Sequence, residues 1–250
     1  MTDPADFYTG LVAEAYSALR SEEFDPARYA AFVRAHAAPA LEVACGAGEP
    51  LLDLVADGLE VDGIDSSADM VDRARQEARR RGLRVSLHVG RMEDMSLGRR
   101  YGAIYLAGPS FELLPDDEVA VRALAAFRRH LAPGGTVMIP LWIAPPTPAE
   151  QLGTARESMD AAGDMLRYTP LSEVHDPATR TRATTVRYER VPRTGPVQSI
   201  ERTWVIHWQT LESITSAAAR AGLAVQEVEL PSGSAGSASG EEFTVHLTPA

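Results

Sequence analysis

Between about residues 40 and 144 the chain alternates short apolar runs with longer stretches whose apolar positions recur at helical spacing. The runs read ALEVAC (40–45), VDGID (61–65), VSLHVG (85–90), YGAIYLAG (101–108) and TVMIPLWIA (136–144). Between them lie amphipathic helices such as SADMVDRARQEARRRG and DDEVAVRALAAFRRHLAPGG, the second ending on Pro-Gly-Gly, a helix stop. Near-continuous apolar strands suit a parallel sheet covered on both faces. The pattern therefore predicts a doubly wound α/β domain.

The two ends differ from this middle. Residues 1–35 read as helical, with Phe7, Leu11, Tyr16 and Leu19 at helical spacing. Residues 145–180 are rich in Pro and Ala and read as irregular. RATTVRYERV and IERTWVIHWQ then alternate apolar and polar with period two on either side of PRTGPVQS, which predicts a hairpin over 181–209. A helix (LESITSAAARAG, 211–222), the segment LAVQEVEL, a flexible SGSAGSASG loop and a last strand, EFTVHLT, complete the chain.

In a doubly wound sheet, ligands bind beyond the carboxyl ends of the strands where strand order reverses. The first apolar run ends there, in Gly46-Ala47-Gly48. Two glycines permit positive φ and clear side chains from a ligand lying on the backbone; a plain tight turn would look the same. The second run ends GIDSS, placing Asp65 where a carboxylate takes both hydroxyls of an adenosine ribose. The third ends VGRMEDM, offering Glu93 and Asp94 at the same edge to an adenine amino group. A nicotinamide dinucleotide usually asks for GxGxxG, and here Leu51 holds the third position. The carboxylate of Glu42 suits an ammonium or sulfonium better than a phosphate.

Composition narrows the chemistry further. The chain contains no lysine and no asparagine, and all 24 of its Lys+Arg residues are arginine. Schiff-base cofactors, lysine aldolases and Walker-type phosphate binding are thereby excluded. A net charge of −11 disfavours nucleic acid as a partner, and the cationic stretch RQEARRRGLR (75–84) reads as a solvated helix end. The single cysteine, Cys45, excludes an internal disulfide and a cysteine-built zinc site. No 20-residue apolar span or signal-type segment is visible, so no membrane partner and a cytoplasmic setting are expected.

LEVACGAGEPLLDL resembles the first motif of class I S-adenosylmethionine-dependent methyltransferases, an acid, two residues, then CGxG. GIDSSADMVDRAR, VGRMEDMSL, YGAIYLAGPSFELL and LAPGGTVMI resemble the second to fifth, in order and with normal spacing. Ala44 stands in place of a common glycine and Arg91 in place of a frequent aspartate. Gly108-Pro109-Ser110-Phe111 is similar to the NPPY motif of amide methylases but lacks the Asn or Asp that holds an amide.

The resemblance implies a Rossmann-like, seven-stranded, mostly parallel sheet whose last strand is antiparallel. It implies one domain over 1–250, with a helical lid (1–35), a cofactor-binding core (36–144), an auxiliary segment with the hairpin (145–210) and a C-terminal part (211–250). S-adenosylmethionine would be held by Glu42, Ala44, Gly46, Gly48, Asp65, Ser66, Met70, Met92, Glu93, Asp94 and Ala107. Tyr8, Tyr16, Phe111, Trp142 and Trp204 would line the site of a small-molecule acceptor, methylated on N or O, with no metal. Glu112 and His207 are the candidate bases; a helix cap or surface acid explains Glu112 equally well, and an ordinary sheet histidine explains His207. A nicotinamide oxidoreductase and a non-catalytic cofactor-binding scaffold are the alternatives. The chain is expected to be a monomer or homodimer.

Overall fold

The computed structural model describes residues 7–19, 24–160, 162–230 and 241–250. Its centre is a seven-stranded sheet in the order β3-β2-β1-β4-β5-β11-β10. These strands are β1 (Ala40–Val43), β2 (Val61–Asp65), β3 (Leu87–Val89), β4 (Tyr101–Leu106), β5 (Leu131–Ile143), β10 (Leu223–Glu229) and β11 (Glu241–Pro249). β1 to β5 pair in parallel, and β11 runs antiparallel between β5 and β10. The central strands β1 and β4 are buried at every position, which is why they read as near-continuous apolar runs, broken in β1 only by Glu42. β3 is an edge strand shorter than its predicted run, and its Val89 is exposed.

Side-chain caps fix where the helices begin. Ser67 caps α4 (Ala68–Arg80) by accepting the Met70 N–H, and Asp116 caps α5 (Asp117–His130) by accepting the Val119 N–H. Thr210 and Ser213 form a reciprocal capping box on α6 (Leu211–Arg220). The short helix α3 (Leu51–Ala56) follows the glycine turn. α2 (Pro26–Arg34) packs Tyr29, Phe32 and Val33 into the core beside β1 and β4, so it belongs to the main body. The arginine-rich end of α4 is solvated: Arg80 pairs with Glu77, and Arg81 with Asp53.

Two expectations need correction. Pro133-Gly134-Gly135 does not end the helix; α5 stops at His130, Leu131 already has extended backbone, and the three residues lie inside β5. They form an irregularity where pairing with β4 shifts between Tyr101 and Ala103, and a Cβ on Gly135 would lie 2.9 Å from the Tyr101 carbonyl oxygen. Residues 145–180 are not irregular either. They supply β6 (Arg156–Met159) and β7 (Met165–Asp176), which join β8 (Thr181–Val191) and β9 (Gln198–His207) in a four-stranded antiparallel sheet, so the predicted hairpin is half of a larger wall. Pro170 and a register shift before Ser172 break the period-two pattern of β7, which hid it in the sequence.

α1 (Leu11–Leu19) packs on this second sheet, with Phe7, Val12, Ala15 and Leu19 against Leu166, Val186 and Tyr188. The SGSAGSASG loop lies outside the described residues. Among those described, no helix is long and apolar enough to cross a membrane.

Candidate functional site

Strand order places β2 and β3 on one side of β1 and β4 on the other, so a crevice opens at the carboxyl ends of β1 and β4. There the chain turns with positive φ at Ala44 (57°), Gly46 (50°) and Gly48 (97°). Ala44 adopts a conformation that costs an L-residue about 1–2 kcal/mol. One carboxylate ties this turn to the next: Asp65 Oδ2 accepts the Gly46 N–H and Oδ1 the Ser67 N–H, each at 2.8 Å. Burial raises the pKa of Asp65, and these two bonds oppose the rise. Each carboxylate oxygen keeps a further lone pair for a ligand hydroxyl.

The N-terminal segment is fastened over the same place. The Ser67 hydroxyl donates to the Tyr8 carbonyl at 2.6 Å, and the Gly10 N–H donates to Asp69 Oδ2 at 2.7 Å. Tyr8 and Tyr16 thereby reach a cleft of about 1370 Å³, counting its open mouth, bounded also by Ala44, Gly46, Asp65, Ser66, Met70, Met92 and Glu93. Ile64, Leu114 and Val119 add apolar walls. Its mixed apolar and polar lining suits a nucleoside-like ligand.

A second cavity, about 1020 Å³ on the same measure, shares Tyr8, Tyr16, Ser110 and Leu113 with the first. Its remaining wall is largely aromatic, from Phe7, Phe24, Trp142, Tyr168, Tyr188 and Trp204. Arg156 is the one charged side chain among its described lining residues, which include no Asp, Glu or His. Burial pushes the Tyr8, Tyr168 and Tyr188 hydroxyls above the usual phenol range, so they stay protonated and can both donate and accept. The Trp204 indole N–H is buried with no hydrogen-bond partner among the described residues.

Several expected site residues sit elsewhere. Phe111 is buried in the main core, its ring 6.3 Å from that of Phe127, and faces neither cavity. Glu112, far from being a surface acid, is 1% exposed and lines neither cavity; its Oε1 accepts the Trp142 N–H at 2.8 Å. Burial is the main reason its pKa rises to about 8, so it carries a proton at neutral pH. It braces a tryptophan of the wall. Arg182 stacks beneath that tryptophan, 4.7 Å from its ring centroid.

His207 is excluded from the cavity by strand alternation: Trp204 and Ile206 face it, and His207 turns the other way. There it lies 3.8 Å from Asp117, and burial lowers its pKa. Ala107 lines the aromatic cavity rather than the cleft. Asp94 is exposed off the cleft.

Gly48 does not meet the cleft; its Cβ would come within 2.8 Å of Leu52, so it serves helix packing. Glu42 is fully buried one step behind the lining, where the Tyr105 hydroxyl donates to Oε2 at 2.7 Å. Its Oε1 has no partner among the described residues, and burial raises its pKa to about 8. Arg156, Tyr168 and Tyr188 went unnoticed in the sequence. The alternation around Tyr188 was visible, but nothing linked it to Arg156 until the strands were paired.

The methyltransferase-domain family matches residues 40–135. The chain is 36% identical over 150 residues to dTDP-3-amino-3,6-dideoxy-alpha-D-glucopyranose N,N-dimethyltransferase of Streptomyces fradiae, a match covering 57% of each. It spans about half the length of the curated relatives it matches. Among solved structures, Streptomyces venezuelae DesVI superposes with a TM-score of 0.73 at 25% identity over 100% of both chains. SAM-bound CalS10, an amino pentose methyltransferase from Micromonospora echinaspora, gives 0.70 at 23% identity, covering 96% of this chain and 98% of that one.

The segment that matches the methyltransferase-domain family contains most of the residues of the cleft. The aromatic cavity draws mainly on residues outside it: Tyr8, Tyr16, Trp142, Arg156, Tyr168, Tyr188 and Trp204.

Proposed function

We propose that the protein is an S-adenosylmethionine-dependent methyltransferase that acts on an amine nitrogen of a small molecule, with an amino sugar as the first candidate. The observation that carries this reading is the shared wall: Tyr8, Tyr16, Ser110 and Leu113 bound both the cleft and the aromatic cavity. The sugar N-methyltransferase names of the relatives support the choice of acceptor.

The cleft fits the cofactor's parts. Asp65 offers spare lone pairs to ribose hydroxyls, Gly46 presents bare backbone, and Ile64, Met70 and Met92 supply flat apolar surface for a base. Behind the lining, the Oε1 of buried Glu42, without a partner among the described residues, is an acceptor in reserve for an ammonium group. Bound there, S-adenosylmethionine supplies the activated methyl group.

The protein's own part is alignment and dryness. Orientation of an acceptor against a reactive carbon accounts for about 7–11 kcal/mol in well-placed systems. With no carboxylate or imidazole on the described lining, the amine has to arrive neutral, its lone pair free. Tyrosine hydroxyls, held protonated, accept its N–H bonds and fix its direction. The ring faces then stabilise the cationic product.

The test is incubation with S-adenosylmethionine and a panel of thymidine-diphosphate amino sugars, simple amines and phenols, read by mass spectrometry. Addition of a methyl group to amines supports the reading; transfer only to phenols, or none to any acceptor, sinks it.

A further inference from the structure

We infer that Arg156 is a specificity-determining residue that binds an anionic group of the acceptor, a phosphate or a carboxylate, at a distance from the amine. This rests on the methyltransferase reading and says which acceptors that site selects.

The chain carries a net −11, yet no described acid lines the aromatic cavity and its one charged lining residue is a cation. Nearby arginines are committed. Arg167 pairs with Glu157 and Glu189, Arg190 with Glu14 and Asp160, and Arg182 with Glu173. Arg156 has no carboxylate partner among the described residues.

It is nevertheless held in place. Cross-strand register puts Arg156 opposite Tyr168, and Tyr168 opposite Tyr188, in one row across β6, β7 and β8. The guanidinium carbon sits 4.5 Å from the Tyr168 ring centroid, and the two tyrosine rings are 5.3 Å apart. Tyr168 meets the face of the guanidinium and also takes a hydrogen bond from it, and the remaining N–H donors are left for a planar or tetrahedral oxyanion. Less side-chain entropy remains to be lost when the anion arrives.

Position gives the orientation. Arg156 is exposed on the edge strand, at the open side of the cavity, while the wall shared with the cleft lies on Tyr8, Tyr16 and Ser110. An acceptor anchored by its anion at Arg156 points its opposite end inward. A lining without a described acid gives an ammonium no contact partner and so favours an inward end that is a neutral amine. The arginine thus selects acceptors with an anion at one end and an amine at the other.

The test titrates thymidine diphosphate, malonate and uncharged thymidine into the wild type, Arg156→Gln and Arg156→Lys. S-adenosylhomocysteine binding is measured alongside. We expect the wild type to bind at least one anionic probe, more weakly as salt rises. Arg156→Gln should lose at least tenfold of that affinity and Arg156→Lys should recover part of it, with thymidine and S-adenosylhomocysteine unchanged. Preference for thymidine diphosphate assigns a phosphate, and preference for malonate a carboxylate. Equal anion binding by wild type and Arg156→Gln, or no anion binding by the wild type, overturns the inference. Failure of the wild type to bind S-adenosylhomocysteine overturns the methyltransferase reading instead.

Discussion

Glu112→Gln separates a brace from a base. In the fold, burial lifts the Glu112 carboxyl from an ordinary value of 4.5 to about 8. The folded state therefore holds this proton more tightly than the unfolded chain. As pH rises from about 4.5, the unfolded chain ionises first and gains stability, so folding weakens until the folded group also ionises near 8. At about 1.36 kcal/mol per pH unit, the interval amounts to a loss of about 5 kcal/mol. Glutamine cannot ionise, and its Oε1 can still accept the Trp142 N–H.

The variant should match the wild type near pH 5 and exceed it by several kcal/mol above pH 8. Glu42 carries a similar rise and remains in the variant, so about half of the wild-type pH slope should persist. Urea unfolding followed from pH 5 to 9 reads both numbers. Turnover at pH 7.5 should stay within about threefold, whereas loss of a general base costs about 10²–10⁴. Flat stability against pH in the wild type, together with a hundredfold loss of turnover in Glu112→Gln, would refute the assignment as a brace.

The two glycines of the turn should part company. Gly46→Ala should cost about 1–2 kcal/mol from its φ of 50°, still fold, and weaken S-adenosylhomocysteine binding by calorimetry, since the added methyl enters the cleft beside Met70. Gly48→Ala should instead cost about 2–4 kcal/mol in urea unfolding, from strain at φ 97° and overlap with Leu52, and leave ligand affinity of the folded protein intact. Ala44→Gly should stabilise by about 0.5–1 kcal/mol, the relief at φ 57° less the added freedom of the unfolded chain; a destabilised variant would contradict that reading of the turn.

The core was legible because its signals are local. Short, largely buried runs marked β1, β2 and β4, and the order of turns and acids marked the carboxyl edge at Gly46 and Asp65. The acceptor side depends on pairing between distant strands. Arg156 and Tyr188 are 32 positions apart and meet only through Tyr168, on a strand whose alternation Pro170 interrupts. Proximity to a motif also misled: Glu112 and Phe111 follow β4 directly, yet the 3-10 turn at Ser110–Leu113 buries both. In β9 a single step of alternation separates Ile206, on the cavity, from His207, behind it.

The central claim is that the cleft at the ends of β1 and β2 holds S-adenosylmethionine through Asp65, and isothermal titration tests it most directly. Wild type should bind S-adenosylhomocysteine with one site per chain and show no heat with NAD. Asp65→Ala, which removes a charged acceptor worth about 1.5–3 kcal/mol, should bind roughly 10- to 150-fold more weakly. Unchanged affinity in Asp65→Ala, or a wild type that binds NAD and not S-adenosylhomocysteine, would contradict it.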